Sequence, residues 1–193
     1  MKIILATTSP YRRSAFRELG LKFSVAASGI KEDFPDRPSD PKKLVKTLAR
    51  LKAEVVSEKY PGDLVIGCDS VGSYKNKILE KPKSKKEEFD RLKILSGNEF
   101  KFYTGVCIIR KQSGKVLERV VETKIRMRKI SDTEIKKYLE QDPNYKTYAM
   151  GFDPFKHYSS TFIKRIMGSH NNFLVGFPLE EVMEMLFDSG YKL

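Results

Sequence analysis

The chain begins with an apolar run, Lys2 to Ala6, that breaks at Thr7-Thr8-Ser9-Pro10 and passes straight into a segment carrying Tyr11, Arg12 and Arg13. This passage from strand to helix constrains the fold more than any other stretch. Ser9 suits a helix N-cap, and Pro10 suits the first helical position, where a missing N–H costs nothing and a fixed φ matches the helix. The spacing predicts a helix over about residues 10–19, closed by Gly20. Residues Thr7 to Arg12 then offer hydroxyls, backbone N–H groups, the positive end of a helix dipole and guanidinium forks to one anion.

Further elements follow from periodicity. Residues 22–27 predict a short strand, and a polar, proline-bearing loop runs from Lys31 to Pro41. Pro41 opens a helix to about Lys59, with Leu44, Val45, Leu48, Leu51 and Val55 on one stripe. Leu64 to Cys68 is a continuous apolar run, the pattern of a strand buried on both faces, and Asp69 is expected where it ends. In open α/β sheets, ligand sites gather beyond the carboxyl ends of strands, which makes Asp69 a candidate on position alone. Ser84 with Glu87 and Ser131 with Glu134 predict capping boxes that start helices to about Leu95 and Glu140. Between them, 100–110 and 116–128 read as a hairpin around Gln112-Ser-Gly-Lys. A weak strand is expected over Ser159 to Ile166, and Pro178 opens a final helix to about Phe187. The order is mixed α/β with a central hairpin, which implies two lobes around a cleft, in one unit spanning 1–193 without a linker.

No apolar run approaches the ~20 residues that span a bilayer, and no signal-peptide core precedes residue 15, so a cytoplasmic protein without a membrane partner is expected. Cys68 and Cys107 each sit in an apolar segment, as small buried hydrophobes do in a reducing compartment. Neither His157 nor His170 has a second ligand at metal spacing. A net charge of +12, from 37 basic and 25 acidic residues, favours polyanionic neighbours without choosing among them. Most Phe and Tyr fall in core-like patterns, so the charge alone argues for no nucleic-acid module, and a polymer partner is disfavoured.

Separated stretches nonetheless supply matching chemistry. Arg12, Arg13, Lys52 and Lys81 are basic, and Glu32 and Asp69 are acidic. A triphosphate needs such a mixture, several cations to offset its charge and one or two carboxylates to hold Mg²⁺ or to activate water. Each residue also has a plainer reading: surface lysines for Lys52 and Lys81, a turn or N-cap residue for Asp69, a loop charge for Glu32. Thr104-Gly105 reads as packing or turn.

In motif order the chain resembles the Maf family of nucleoside triphosphate pyrophosphatases. Leu5-Ala-Thr-Thr-Ser-Pro-Tyr-Arg-Arg resembles the family's L-A-S-x-S-P-x-R-R, with Glu32 at the family's distance. Leu48-Ala-Arg-Leu-Lys-Ala matches L-A-x-x-K-A, and Ile66-Gly-Cys-Asp-Ser resembles the segment holding the family's catalytic aspartate. Lys81-Pro82, Ser96-Gly97, Thr104-Gly105 and Val175-Gly-Phe-Pro-Leu match the later pairs and the closing motif. The resemblance implies a Maf/ITPase-like fold, a mixed twisted sheet with flanking helices around a central cleft. It also implies hydrolysis of the α-β phosphoanhydride of a modified or non-standard triphosphate, 7-methyl-GTP being one candidate, with Mg²⁺ or Mn²⁺ as cofactor. By position, Asp69 would be the general base, Glu32 and Asp69 the metal-holding pair, and Lys81 a further catalytic cation. Thr7, Ser9, Arg12, Arg13 and Lys52 would grip the substrate, and a homodimer is left open.

Three positions bear on specificity. Tyr11 and the ending Asn172-Phe-Leu-Val-Gly resemble the branch acting on 7-methyl-GTP, where Tyr11 either stacks on a base or packs inside the fold. Ser70 matches neither that branch nor the dTTP/UTP branch. Lys156 stands where the family carries Gln or Glu, and lysine can only donate hydrogen bonds. Either Asp153 substitutes for that acid, or the substrate differs, or Lys156 meets phosphate. Lys156, Ser70 and the strong positive charge together motivate an alternative, a catalytically impaired nucleotide- or nucleic-acid-binding protein on the same fold.

Overall fold

The structure is a computed structural model and describes residues 1–193. Its elements are β1 (Ile3–Ala6), α1 (Pro10–Arg17), β2 (Phe23–Val25), α2 (Pro41–Ser57), β3 (Leu64–Tyr74), β4 (Lys77–Leu79) and α3 (Lys85–Leu95). There follow β5 (Glu99–Arg110), β6 (Lys115–Met127), α4 (Asp132–Gln141), β7 (Ile163–Met167), α5 (His170–Val175) and α6 (Leu179–Asp188). The expected helix starts are there for the expected reasons: Ser9 Oγ accepts from Arg12 N, and Asp40 Oδ1 accepts from Lys43 N at 2.8 Å, each just before a proline. Ser131 and Glu134 form the full reciprocal box. Ser84 forms only half of one, because the Glu87 carboxylate turns instead to Lys83 N and Arg91.

The seven strands form one sheet in the order β2-β1-β3-β5-β6-β7, with β4 added to β3. β1 runs parallel to β2 and β3, each parallel step being crossed by a helix, whereas β3, β5, β6 and β7 are antiparallel neighbours. β3 shares one of its edges between two partners. Residues Leu64 to Gly67 pair with β1 and Gly72 to Tyr74 with β4, while the opposite edge stays paired with β5 from Val65 to Ser73. A notch at residues 68–71 results.

The notch corrects one expectation. Asp69 does not follow the end of a strand; it lies inside an eleven-residue strand, just past the point where β1 stops. The apolar run ends at Cys68 because Asp69 and Ser70 place polar side chains at the notch, while the antiparallel ladder to β5 carries the strand onward through buried Val71 and Ser73. The expected strand over Ser159 to Ile166 is present as β7, Ile163–Met167, starting four residues later because Tyr158–Thr161 form a 3₁₀ turn. β4 and α5 were not expected, both being too short for a periodic signal.

Helix α2 lies against β3 and β5 at backbone contact. A Cβ on Gly67 would stand 2.1 Å from the Ala49 carbonyl oxygen, and one on Gly105 would stand 2.2 Å from that of Val45. Leu44, Val45 and Leu48 of α2 close over Val71 and Tyr103. Burying each such side chain contributes about 1.5–3 kcal/mol. On the opposite face Phe16 of α1 and Val182, Met185 and Leu186 of α6 cover Ile3, Leu5, Leu64 and Ile66. A separate apolar cluster joins α3 and α4 to Phe100, Phe102 and Ile125 at the far end of the hairpin.

That far cluster contains one costly group. Glu88 of α3 is 0% exposed, with both carboxyl oxygens unpartnered and Arg91 Nη1 3.7 Å away. Burial pushes its pKa well above the ordinary 4.5. The folded state therefore keeps a proton that the unfolded chain releases, and stability falls as pH rises from about 4.5 toward the folded pKa. Glu88→Gln should remove this slope and leave the protein more stable than wild type at about pH 8. Thermal midpoints measured across about pH 5 to 8 check it, and parallel slopes for the two proteins would count against it.

Candidate active site

At the notch opens a cavity of about 1350 Å³. The β1–α1 turn forms one wall, the loop after β2 and the start of the segment after β4 form a second, and residues 144–154 with 173–176 form the third. Thr7, Ser9, Tyr11, Arg12, Glu32, Lys52, Asp69, Ser70 and Lys81 all line it, drawn from well-separated stretches of the chain.

At its floor three charged groups meet. Asp69 points from β3 toward α2, on the same face as Gly67, and is 7% exposed. Because the two glycines admit α2 so closely, Lys52 reaches Asp69, Nζ lying 2.6 Å from Oδ1. The same ammonium lies 2.7 Å from Glu32 Oε1, an exposed carboxylate on the loop after β2. Burial works against the charge on Lys52, but Asp69 and then Glu32 outweigh it and hold its pKa above the ordinary lysine range. Burial raises Asp69, and Lys52 and Arg12 only partly pull it back, leaving a carboxylate with enhanced affinity for a proton. Glu32 is also penalised by burial, yet Lys52, Lys81 and Arg12 bring its pKa below the usual value.

Arg12 serves the frame of the site. Its Nε donates to Gly176 O, its Nη1 to Cys68 O and its Nη2 to Ser70 Oγ, each at 2.8 Å. Three of its five N–H groups are thereby spent on protein, and the Cys68 carbonyl they reach belongs to the unpaired edge of the notch. Ser70 is equally engaged, since its Oγ also shares a hydrogen bond with Thr104 Oγ1 at 2.8 Å and lies 3.2 Å from Gly176 O. This latch ties β3 to β5, α1 and the end of α5, where Gly176 takes a left-handed φ of 61°. Thr7 shapes its own turn, its Oγ1 accepting from Ser9 N at 3.1 Å.

Two expected residues stand apart from the lining. Arg13 lies outside the cavity with its Nε buried and unpartnered. Lys156 is also outside, whereas Asp153, 9% exposed, faces in. The Lys156 ammonium sits behind, 3.5 Å from Asp153 Oδ2 and 5.8 Å from the Tyr11 ring centre. Tyr11 lines the cavity, and its ring packs 5.7 Å from that of Tyr148.

Arg37 was missed from sequence. Its Nε donates to Glu32 O at 3.1 Å and its guanidinium pairs with Glu80 at 2.8 Å, clamping the Glu32 loop to the segment that carries Lys81. No pattern marks it beyond its place in a long polar loop. Glu32 and Asp69 converge on one cationic position, but no third His, Cys, Asp or Glu joins them.

The Maf-like protein family model matches residues 2–189. The chain is 34% identical to the 7-methyl-GTP pyrophosphatase of Nitrosococcus oceani over 191 residues, 99% of this chain and 94% of that one. It is 35% identical to the dTTP/UTP pyrophosphatase of Clostridium botulinum over 195 residues, covering 99% and 98%. Among solved structures, a HAM1 protein from Coxiella burnetii shares the fold at 14% identity, with a TM-score of 0.52 over 97% of this chain and 99% of that one. Through the match from residue 2 to residue 189 and these full-length likenesses, the chain belongs to the Maf family.

Proposed function

We propose that this protein is a hydrolase that cleaves a nucleoside triphosphate between the α and β phosphates, releasing a monophosphate and pyrophosphate. The observation that carries this reading is the Asp69–Lys52–Glu32 cluster at the floor of a cavity that Lys81 and the α1 N-terminus also line. Asp69 accepts a proton from the water that attacks the α phosphorus, a role its raised pKa suits. As the bond to the bridging oxygen breaks, Lys52 and Lys81 take up the charge growing on pyrophosphate. Thr7, Ser9 and the free Tyr11 N–H in the first turn of α1 hold the polyphosphate, and Arg12 keeps the floor in register while offering its two remaining N–H groups.

Mg²⁺ or Mn²⁺ fits the acids present. Such ions bind through one or two carboxylates plus substrate phosphates and water, and Glu32 and Asp69 are two hard oxygen donors aimed at one point. When bound there, the ion supplies neutralisation of phosphate charge. On this reading residues 1–193 work as one unit, at a cytoplasmic site of action.

Within the aromatic end of the cavity, Asp153 takes the part of the base-reading acid and Lys156 the part of its neighbour. Of the three motives for the impaired-binder alternative, the net charge of +12 stands, whereas Ser70 is engaged in the latch and Lys156 pairs with Asp153. A panel of canonical and methylated triphosphates with Mg²⁺ or Mn²⁺, assayed for pyrophosphate, tests the activity; no release from any of them rejects it. In the same panel Asp153→Asn should change the ranking of bases by about tenfold, whereas Lys156→Gln should shift all substrates together. An unchanged ranking in Asp153→Asn removes Asp153 from base recognition.

A further inference from the structure

The Lys52 ammonium holds the position on which the two acids of the floor converge, 2.7 Å from Glu32 Oε1 and 2.6 Å from Asp69 Oδ1. A divalent cation claiming both carboxylates must therefore displace a lysine. The Lys52 side chain is only 11% exposed, so displacement without compensation leaves a cation buried away from water and stripped of both partners. The surroundings add to the difficulty. Lys52, Lys81 and Arg12 are the three cations that bear on Glu32, and the whole lining carries six cations to five carboxylates, so a bare dication meets a net positive field. A polyphosphate reverses both obstacles, since its oxygens give the ammonium new acceptors and its charge offsets the three cations.

The geometry points to Lys52 as an internal counter-ion that keeps divalent metal off Glu32 and Asp69 until a polyphosphate enters, so that metal and polyphosphate bind with strong positive coupling. This deepens the triphosphate reading and rests on it. The coupling is reciprocal, the metal tightening polyphosphate by the same factor as polyphosphate tightens the metal. Lys52 acts on the metal through the two carboxylates, which makes it a positioning residue in that respect.

The probes are Mn²⁺ alone and Mn²⁺ with inorganic tripolyphosphate, followed by water-proton relaxation enhancement on the full chain. Wild type should show weak binding of Mn²⁺ alone and a ternary enhancement once tripolyphosphate is added, corresponding to at least about tenfold tighter metal binding. Lys52→Met, which keeps the length of the side chain and loses its charge, should bind Mn²⁺ alone at least about tenfold more tightly than wild type while binding tripolyphosphate less well. Adding Asp69→Asn to Lys52→Met should abolish that gain. Wild type binding Mn²⁺ alone as tightly as Lys52→Met overturns the proposal, as does Mn²⁺ affinity in wild type that tripolyphosphate leaves unchanged. The wild-type pair of measurements decides the matter even where Lys52→Met does not fold. Because none of these readouts needs turnover, a failed substrate panel with intact coupling would reject the hydrolase reading and spare this one, and the converse result would do the opposite.

Discussion

Asp69→Asn is expected to lower kcat on the order of 10³-fold or more while nucleotide still binds. The amide keeps the shape of the carboxylate and can still accept from Lys52, so the floor of the cavity stays packed. What it loses is the ability to take a proton from water. Burial already raises the Asp69 pKa, so in wild type the rate should climb with pH as the carboxylate forms, at a pH above the ordinary aspartate value of 3.8. Measurement of kcat against pH alongside equilibrium nucleotide binding separates the roles. Unimpaired turnover in Asp69→Asn would exclude Asp69 as the base.

Gly67→Ala should cost about 3 kcal/mol of stability, with a comparable loss in Gly105→Ala. At both positions the added methyl would meet a carbonyl oxygen of α2, at 2.1 Å and 2.2 Å, and backbone cannot rotate aside as a side chain can. The helix must move outward, and it carries Lys52. The variant should therefore lose kcat beyond what its unfolded fraction explains. A useful contrast is Gly114→Ala, at φ 67° with nothing within 4 Å, where only the left-handed backbone resists, at about 1–2 kcal/mol. Denaturant midpoints of the three variants, with kcat on the folded fraction, decide it. Equal destabilisation at Gly114 and Gly67 would refute the close-approach argument.

Much of this site was legible because its chemistry is local in sequence. Ser9 and Pro10 announce the helix that follows, and the ordered motifs locate Glu32, Lys52, Asp69 and Lys81 without any knowledge of how they meet. What sequence could not carry was the set of partners. Arg12 has the same formal charge whether it grips a phosphate or braces Cys68, Ser70 and Gly176, and only the notch in β3 decides that three of its donors face inward. The extent of β3 was hidden for a related reason. The apolar run is interrupted by the polar Asp69 and Ser70 although the strand stays largely buried and its ladder to β5 continues to Ser73. That Asp153 lines the cavity and Lys156 does not was hidden because an irregular segment offers no periodicity from which to tell inward from outward.

The long strands β3, β5 and β6 have a mechanical consequence. Each threads from one apolar cluster into the other: Phe100 and Phe102 of β5 belong to the far cluster, while Val106 and Ile108 of the same strand belong to the cluster under α1 and α6. Such a spine leaves no flexible crossing between the lobes at which they could swing as separate jaws. The walls outside this spine are the Glu32 loop, held by Arg37, and residues 144–154 on the opposite bank. Floor and banks are thereby built from separate parts of the chain, the one from continuous sheet and the others from loops laid over it.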